Sequence, residues 1–168
     1  MRYNKIRKMD ISNGEGIRVS IFVQGCTFNC QGCFNPETHD FNGGKEFTEE
    51  TLSNIIKLCD NPVIKGLSIL GGEPLHSNNV DEVFHIVKVF KKKFPDKDIW
   101  LWTGFQFEDA IKDIKRKMII SELDYMVDGR FVENKKNLKL KWAGSENQRL
   151  IDVKKTLANN ELVLINML

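Results

Sequence analysis

Three cysteines stand close together in Cys26-Thr27-Phe28-Asn29-Cys30-Gln31-Gly32-Cys33, spaced Cys-x3-Cys-x2-Cys with Gly32 directly before the last. A turning loop brings residues three or four apart within a few ångströms of one another, so all three sulfurs can face one small centre. Soft thiolate ligands select zinc or an iron-sulfur cluster. Ligand number separates the two. A structural zinc takes four protein ligands, whereas a 4Fe-4S cube held by three cysteines keeps one iron open to a substrate. Zinc remains an alternative, with His39 as the fourth ligand of a binding module that does no catalysis. The remaining cysteine, Cys59, recurs at helical spacing with Leu52, Ile55 and Ile56. It reads as a small buried hydrophobe and not as a ligand.

A second stretch adds to the chemistry. Gly71-Gly72-Glu73-Pro74 follows the apolar run Gly66–Leu70. Paired glycines at a strand end let backbone approach a ligand closely, and Glu73 offers an acceptor for an ammonium group. Taken alone, the tetrapeptide could equally be a plain turn. Thr103, at the end of Asp98–Trp102, and Asp128, at the end of Leu123–Val127, occupy comparable places.

The elements that must position these residues follow from periodicity. Residues 1–16 carry mixed charge and end in a turn at Asn13-Gly14-Glu15-Gly16. Strands are expected at 17–24, 66–70, 98–102, 123–127 and 149–153, with a last short one at 162–165. Thr48 is the expected N-cap of a helix running to Cys59, with Glu49 and Glu50 in its first turn. A second helix starts near Val80, with Val83, Phe84, Val87 and Phe90 on one stripe and His85 off it. A third runs from Phe107 to Ile120 with Ala110, Ile111 and Ile114 inward. The alternation of strands and helices predicts an α/β fold with mainly parallel strands. Ligands of such folds bind at the carboxyl ends of the strands, so the loops at Cys26, Gly71, Thr103 and Asp128 are expected on one rim. A complete (β/α)8 barrel takes about 250 residues. This chain of 168 residues can form only a partial barrel, open on one side.

Composition bounds the function. The length fits one domain spanning 1–168 that needs no disulfide staples. A net charge of +2 argues against nucleic acid as the main partner. No apolar run approaches a bilayer span and no apolar signal segment follows the first residues, so no membrane is expected and the cytoplasm is the expected compartment. The lysines at 135, 136, 139 and 141 read as a solvated loop, with steering of a partner as the alternative.

The cysteine spacing followed by Phe34, together with Gly71-Gly72-Glu73-Pro74, resembles the radical S-adenosylmethionine (radical SAM) enzymes. Within them the chain is similar to the activating proteins of anaerobic ribonucleoside-triphosphate reductases. That similarity rests on Asn13–Arg18, Gln24–Cys26, Cys33–Pro36, Gly71–Leu75, Asp128-Gly129 and Gly144–Arg149. Two departures are visible. Arg130 stands where that group usually has proline, and Trp142-Ala143 precedes Gly144 where an arginine is common. The resemblance implies a laterally open (β/α) barrel and one 4Fe-4S cluster on Cys26, Cys30 and Cys33. It places S-adenosylmethionine (SAM) against Gly32, Cys33, Phe34 and Gly71–Pro74, with Thr103 and Asp128 as further contacts resting on strand-end position. It also implies reduced flavodoxin or a similar electron donor, and a large reductase subunit as the partner that receives a glycyl radical. An activase of pyruvate formate-lyase and a small radical SAM enzyme acting on a free metabolite are the alternatives with the same chemistry.

Overall fold

The computed structural model describes residues 1–168. One sheet in the order β3-β1-β2-β4-β5-β6-β7-β8 runs through the molecule. Its strands are β1 (Arg2–Asp10), β2 (Ile17–Val23), β3 (Lys45–Glu46), β4 (Ile64–Gly71), β5 (Asp98–Trp102), β6 (Tyr125–Asp128), β7 (Arg149–Asp152) and β8 (Leu164–Ile165). The helices are α1 (Glu49–Cys59), α2 (Val80–Lys93), α3 (Phe107–Ala110), α4 (Ile114–Ile120) and α5 (Val153–Asn159). The two ends of the sheet do not meet, so the sheet stays open.

The centre of the sheet is parallel: β2 pairs with β4, β4 with β5 and β5 with β6. Both flanks are antiparallel, β1 pairing with β2 and β3, and β7 with β6 and β8. The expectation of mainly parallel strands therefore holds only for the centre. The flanks differ because no α-helix connects β1 to β2 or β6 to β7, and the crossover to a parallel neighbour is usually an α-helix. β1 itself was not expected. Its Arg2, Lys5, Arg7 and Lys8 mask the period-2 pattern, because past Tyr3 the strand pairs only with β2 and its side chains as far as Met9 stay partly or fully exposed.

Apolar residues of alternate parity face the helices. Val19, Ile21, Val23, Leu67, Ile69, Ile99, Leu101, Met126 and Ile151 form one core with α1, α2 and α4. Thr48 caps α1 as expected, in a reciprocal arrangement with Thr51, and Cys59 is fully buried in this core. The expected helix 107–120 is broken. Asp113 takes extended backbone and accepts from Arg116 N to start α4, which leaves Ile114 exposed and not inward. In α2 the buried stripe carries Ile86, while Phe84 is only partly covered and His85 is exposed beside Glu49.

The other face of the sheet carries no helix. At its base Arg18 is fully buried. Its guanidinium donates to Ser68 Oγ (2.7 Å), Leu67 O (3.0 Å) and Glu15 O (3.0 Å), and lies 2.5 Å from Asp98 Oδ1. Ser68 Oγ in turn donates to Asn13 O at 2.6 Å, so this layer fixes the turn at residues 13–16. Trp100, Val127, Leu150 and Met167, with Trp102, Tyr125, Leu140 and Trp142 packed on them, form a second small core on the same face. No helix is long and apolar enough to cross a membrane.

Candidate active site

The cysteine loop begins where β2 ends, and its root is tied down from two sides. Gly25 N donates to Thr38 O (2.7 Å) and Cys26 N to His39 O (3.1 Å), so the turn at Pro36–Thr38 folds back on the first cysteine. Glu73 N donates to Gly25 O (2.8 Å) and Gly72 N to Val23 O (2.8 Å), which joins the Gly-Gly-Glu loop to the same root. The approach is close enough to demand glycine. A Cβ on Gly72 would stand 2.5 Å from Gly25 O, and Gly25 itself takes φ of +100°.

Glu73 is the hub of the second loop. It is 2% exposed, and its Oε1 accepts from Thr103 Oγ1 (2.7 Å) and Leu75 N (2.9 Å) while Oε2 accepts from Gly104 N (2.7 Å). A carboxylate has about four acceptor sites. One on Oε2 is left for a ligand. Burial pushes the carboxyl up to about 7 against the pull of these three donors. Thr103 thus acts on the site through Glu73, and the Thr103 loop packs on the cysteine loop, because Gly104 meets Phe28 where a Cβ would stand 2.4 Å from its ring.

These loops surround one cavity of about 330 Å³ at the carboxyl ends of the central strands. Cys26, Cys30, Cys33, Phe34, Gly71, Gly72, Glu73 and Thr103 line it. Gly32, Pro74 and Asp128 do not. Gly32 takes φ of +75° and turns the loop between Cys30 and Cys33, and Pro74 is buried behind Glu73. Asp128 is fully buried and spends its carboxylate on Phe107 N (2.7 Å) and on Arg149 (3.0 and 2.5 Å), which also grips Glu108. It holds the 105–107 and 149 segments together and leaves the ligand side to Gly129 and Arg130. Sequence reasoning gave no site role to several lining residues: Asn13, Phe28, Trp102, Arg130, Phe131, Trp142 and Gln148, while His39, weighed there only as a zinc ligand, also lines the cavity. Asn13 and Gln148 lie within the segments that carried the resemblance. The aromatic residues carried no signal, since an aromatic in a loop reads equally as core.

The three cysteines are half-buried free thiols. Burial raises the pKa of Cys26 and of Cys33, so in the absence of metal both hold their protons, and ligation must release them. As they lie, the sulfurs do not stand as a single zinc would hold them. Thiolates on one tetrahedral zinc stand about 3.8 Å apart, given bonds of about 2.3 Å. Here neither the three sulfurs nor any three donors that include His39 all come within 4.8 Å of one another; the one trio that does is Glu49, Glu82 and His85, on the far helices.

A family profile described as a 4Fe-4S single cluster domain matches residues 12–151. Among curated proteins, the anaerobic ribonucleoside-triphosphate reductase-activating protein of Enterobacteria phage T4 is 41% identical over 150 residues, covering 89% of this chain and 93% of that one. This chain belongs to the anaerobic ribonucleoside-triphosphate reductase-activating proteins. Activating proteins of the same name from Vibrio cholerae and Escherichia coli K12 are each 37% identical, covering 88% of this chain and 96% of their own. The family profile spans both the cysteine loop and the Gly-Gly-Glu loop.

The state of Glu73 gives a pH prediction for any ligand that brings an ammonium group to its free Oε2 position. Only the ionised carboxylate attracts that group, and its pKa near 7 means that about nine-tenths is protonated at pH 6. Affinity for such a ligand, measured by calorimetry, is expected to be about tenfold weaker at pH 6 than at pH 8. Glu73→Ala should lower the plateau about ten- to hundred-fold, through loss of a charge-assisted hydrogen bond of about 1.5–3 kcal/mol, and should flatten the pH profile. An unchanged affinity in the variant would place the ammonium elsewhere.

Proposed function

We propose that residues 1–168 form a single radical SAM domain of the partial, laterally open barrel type, which places a glycyl radical on the anaerobic ribonucleoside-triphosphate reductase. The observation that carries this reading is the meeting of three half-buried thiols with the Glu73 hub in one cavity at the strand ends. Cys26, Cys30 and Cys33 would hold a 4Fe-4S cluster, whose open iron and low-potential electron supply the reductive cleavage of SAM to methionine and a 5′-deoxyadenosyl radical.

The chain's own residues bind and exclude. Glu73 Oε2 receives the methionine ammonium, and Gly71 and Gly72 let that end of the ligand lie against backbone. Phe34 lines the cavity while remaining 54% exposed, so it is placed to cover the adenine from the solvent side. Trp102 and Trp142 shield the opposite side, held together by Trp102 Nε1 donating to Trp142 O at 2.6 Å. The helix-free face leaves an opening through which a glycine-bearing loop of a second polypeptide can reach the radical. Reduced flavodoxin or a similar donor would supply the electron, and the cytoplasm, which keeps thiols reduced, suits the four free cysteines.

The test is direct. Incubated anaerobically with SAM, a reductant and the reductase, the reconstituted protein is expected to produce a glycyl radical doublet in the EPR spectrum, lost when the acceptor glycine is replaced by alanine. A doublet on pyruvate formate-lyase and none on the reductase would assign the other activase role.

A further inference from the structure

The segment between β6 and β7 concentrates positive charge. From Arg130 to Lys141 it holds five cations against one carboxylate, Glu133, while the whole chain nets only +2. Several lysines elsewhere pair with acids, Lys65 with Glu15, Lys88 with Glu122, Lys91 with Asp124, Lys112 with Asp109 and Lys115 with Asp81, but this segment gathers four unpaired ones within seven residues. Lys135, Lys136, Lys139 and Lys141 are all exposed and none has an acidic partner. At their centre Leu138 is 81% exposed, the most exposed large hydrophobic side chain of the protein.

This loop is not a loose tether. At one end Lys136 pairs with Ser145, and Asn137 N donates to Gly144 O at 3.1 Å. At the other, Lys141 N donates to Met167 O at 2.7 Å, and Leu140 and Trp142 pack into the second core. Leu138 is therefore held outward by a fixed frame. The frame also touches the cysteine loop: Phe34 packs on Phe131 with ring centroids 5.0 Å apart, Lys136 Nζ stands 5.5 Å from the Phe34 ring, and a Cβ on Gly144 would stand 2.7 Å from that ring.

We infer that residues 135–141 are a docking surface for an acidic polypeptide segment that carries an apolar side chain to cover Leu138. The inference rests on the activase reading, which requires a second protein at the mouth of the cavity, and it assigns that protein's foothold. Unpaired cations around a rigidly presented leucine fit a protein partner, with the charges steering the encounter and the apolar contact slowing release. A nucleic acid would have no use for a leucine at the centre of the patch. Because the patch is continuous with Phe34, the docked segment lies beside the candidate cluster loop.

The experiment uses the full chain with its cluster reconstituted, and the intact reductase. Three variants are compared with the parent: Lys135→Glu/Lys136→Glu/Lys139→Glu/Lys141→Glu, the same four positions changed to Arg, and Leu138→Ser. None removes a core contact. The charge reversal is expected to raise the dissociation constant for the reductase at least tenfold in low salt, with the loss shrinking as salt is added. Leu138→Ser should weaken binding several-fold at any salt, and the Arg variant should bind like the parent. Partner-independent SAM cleavage with dithionite should stay within about twofold in all variants. Its absence in the parent would instead mark a failure of the activase reading. Unchanged reductase affinity in both the reversed and the Leu138 variants would overturn the inference. So would a reversal that abolished only binding to a DNA duplex, or only self-association in sedimentation, while the reductase still bound.

Discussion

Replacing any one of Cys26, Cys30 or Cys33 with serine is expected to reduce iron content after anaerobic reconstitution to background, and with it the broad visible absorption of the cluster. Cys59→Ser should keep both. The contrast follows from placement. The first three thiols line one cavity, half-buried, on a loop tied down at Gly25 and Cys26. Cys59 is sealed in the helix-covered core, where burial pushes its thiol up to about 12, so it remains protonated and out of reach of metal. A cluster with only three protein ligands has none to spare, because its fourth iron is left for the substrate. Activation of the reductase should fall in parallel. Loss of iron in Cys59→Ser alone would mean that the ligand set is drawn wrongly.

A second large effect is expected far from the iron. Arg18→Leu removes a cation that is fully buried and hydrogen-bonded to Ser68, Leu67 and Glu15, and leaves the Asp98 carboxylate without its partner. Burial lowers the pKa of Arg18 and raises that of Asp98, so each charge depends on the other. Breaking one side of a buried pair costs about 3–5 kcal/mol. For a chain of this size the melting temperature should fall by roughly 10 °C. The double variant Arg18→Leu/Asp98→Leu should recover part of the loss, since no uncompensated charge remains. A single variant that melts within a degree or two of the parent would show that the layer beneath Asn13 carries no such burden.

Much of this was legible in the chain. The cysteine spacing and the Gly71–Pro74 stretch each sat after an apolar run, and the strand-end rule for parallel folds placed them together before any coordinates. The cap at Thr48 and the burial of Cys59 followed from helical spacing. What escaped was structure whose residues do not alternate cleanly. β1 is rich in arginine and lysine, and its pairing with β2 depends on distant backbone rather than local pattern. The break before Ile114 escaped because an Asp that caps a helix and an Asp on a helix surface look alike in a periodic count. Asp128 was placed by its strand end alone. The sequence could not show that Arg149, across an antiparallel neighbour, would claim its carboxylate.

The chain has three tryptophans, Trp100, Trp102 and Trp142, and all three stand in one group, with Trp100 4.9 Å from Trp142 and 5.8 Å from Trp102 between ring centroids. Two of them line the cavity. The protein's indole emission therefore originates from a single neighbourhood beside the chemistry, with no distant fluorophore to dilute it. Assembly of an absorbing cluster should darken nearly the whole signal by energy transfer, and arrival of a nucleoside against Trp102 or Trp142 should shift what remains. Filling of the site can thus be followed in real time, without a label, in a sealed anaerobic cuvette.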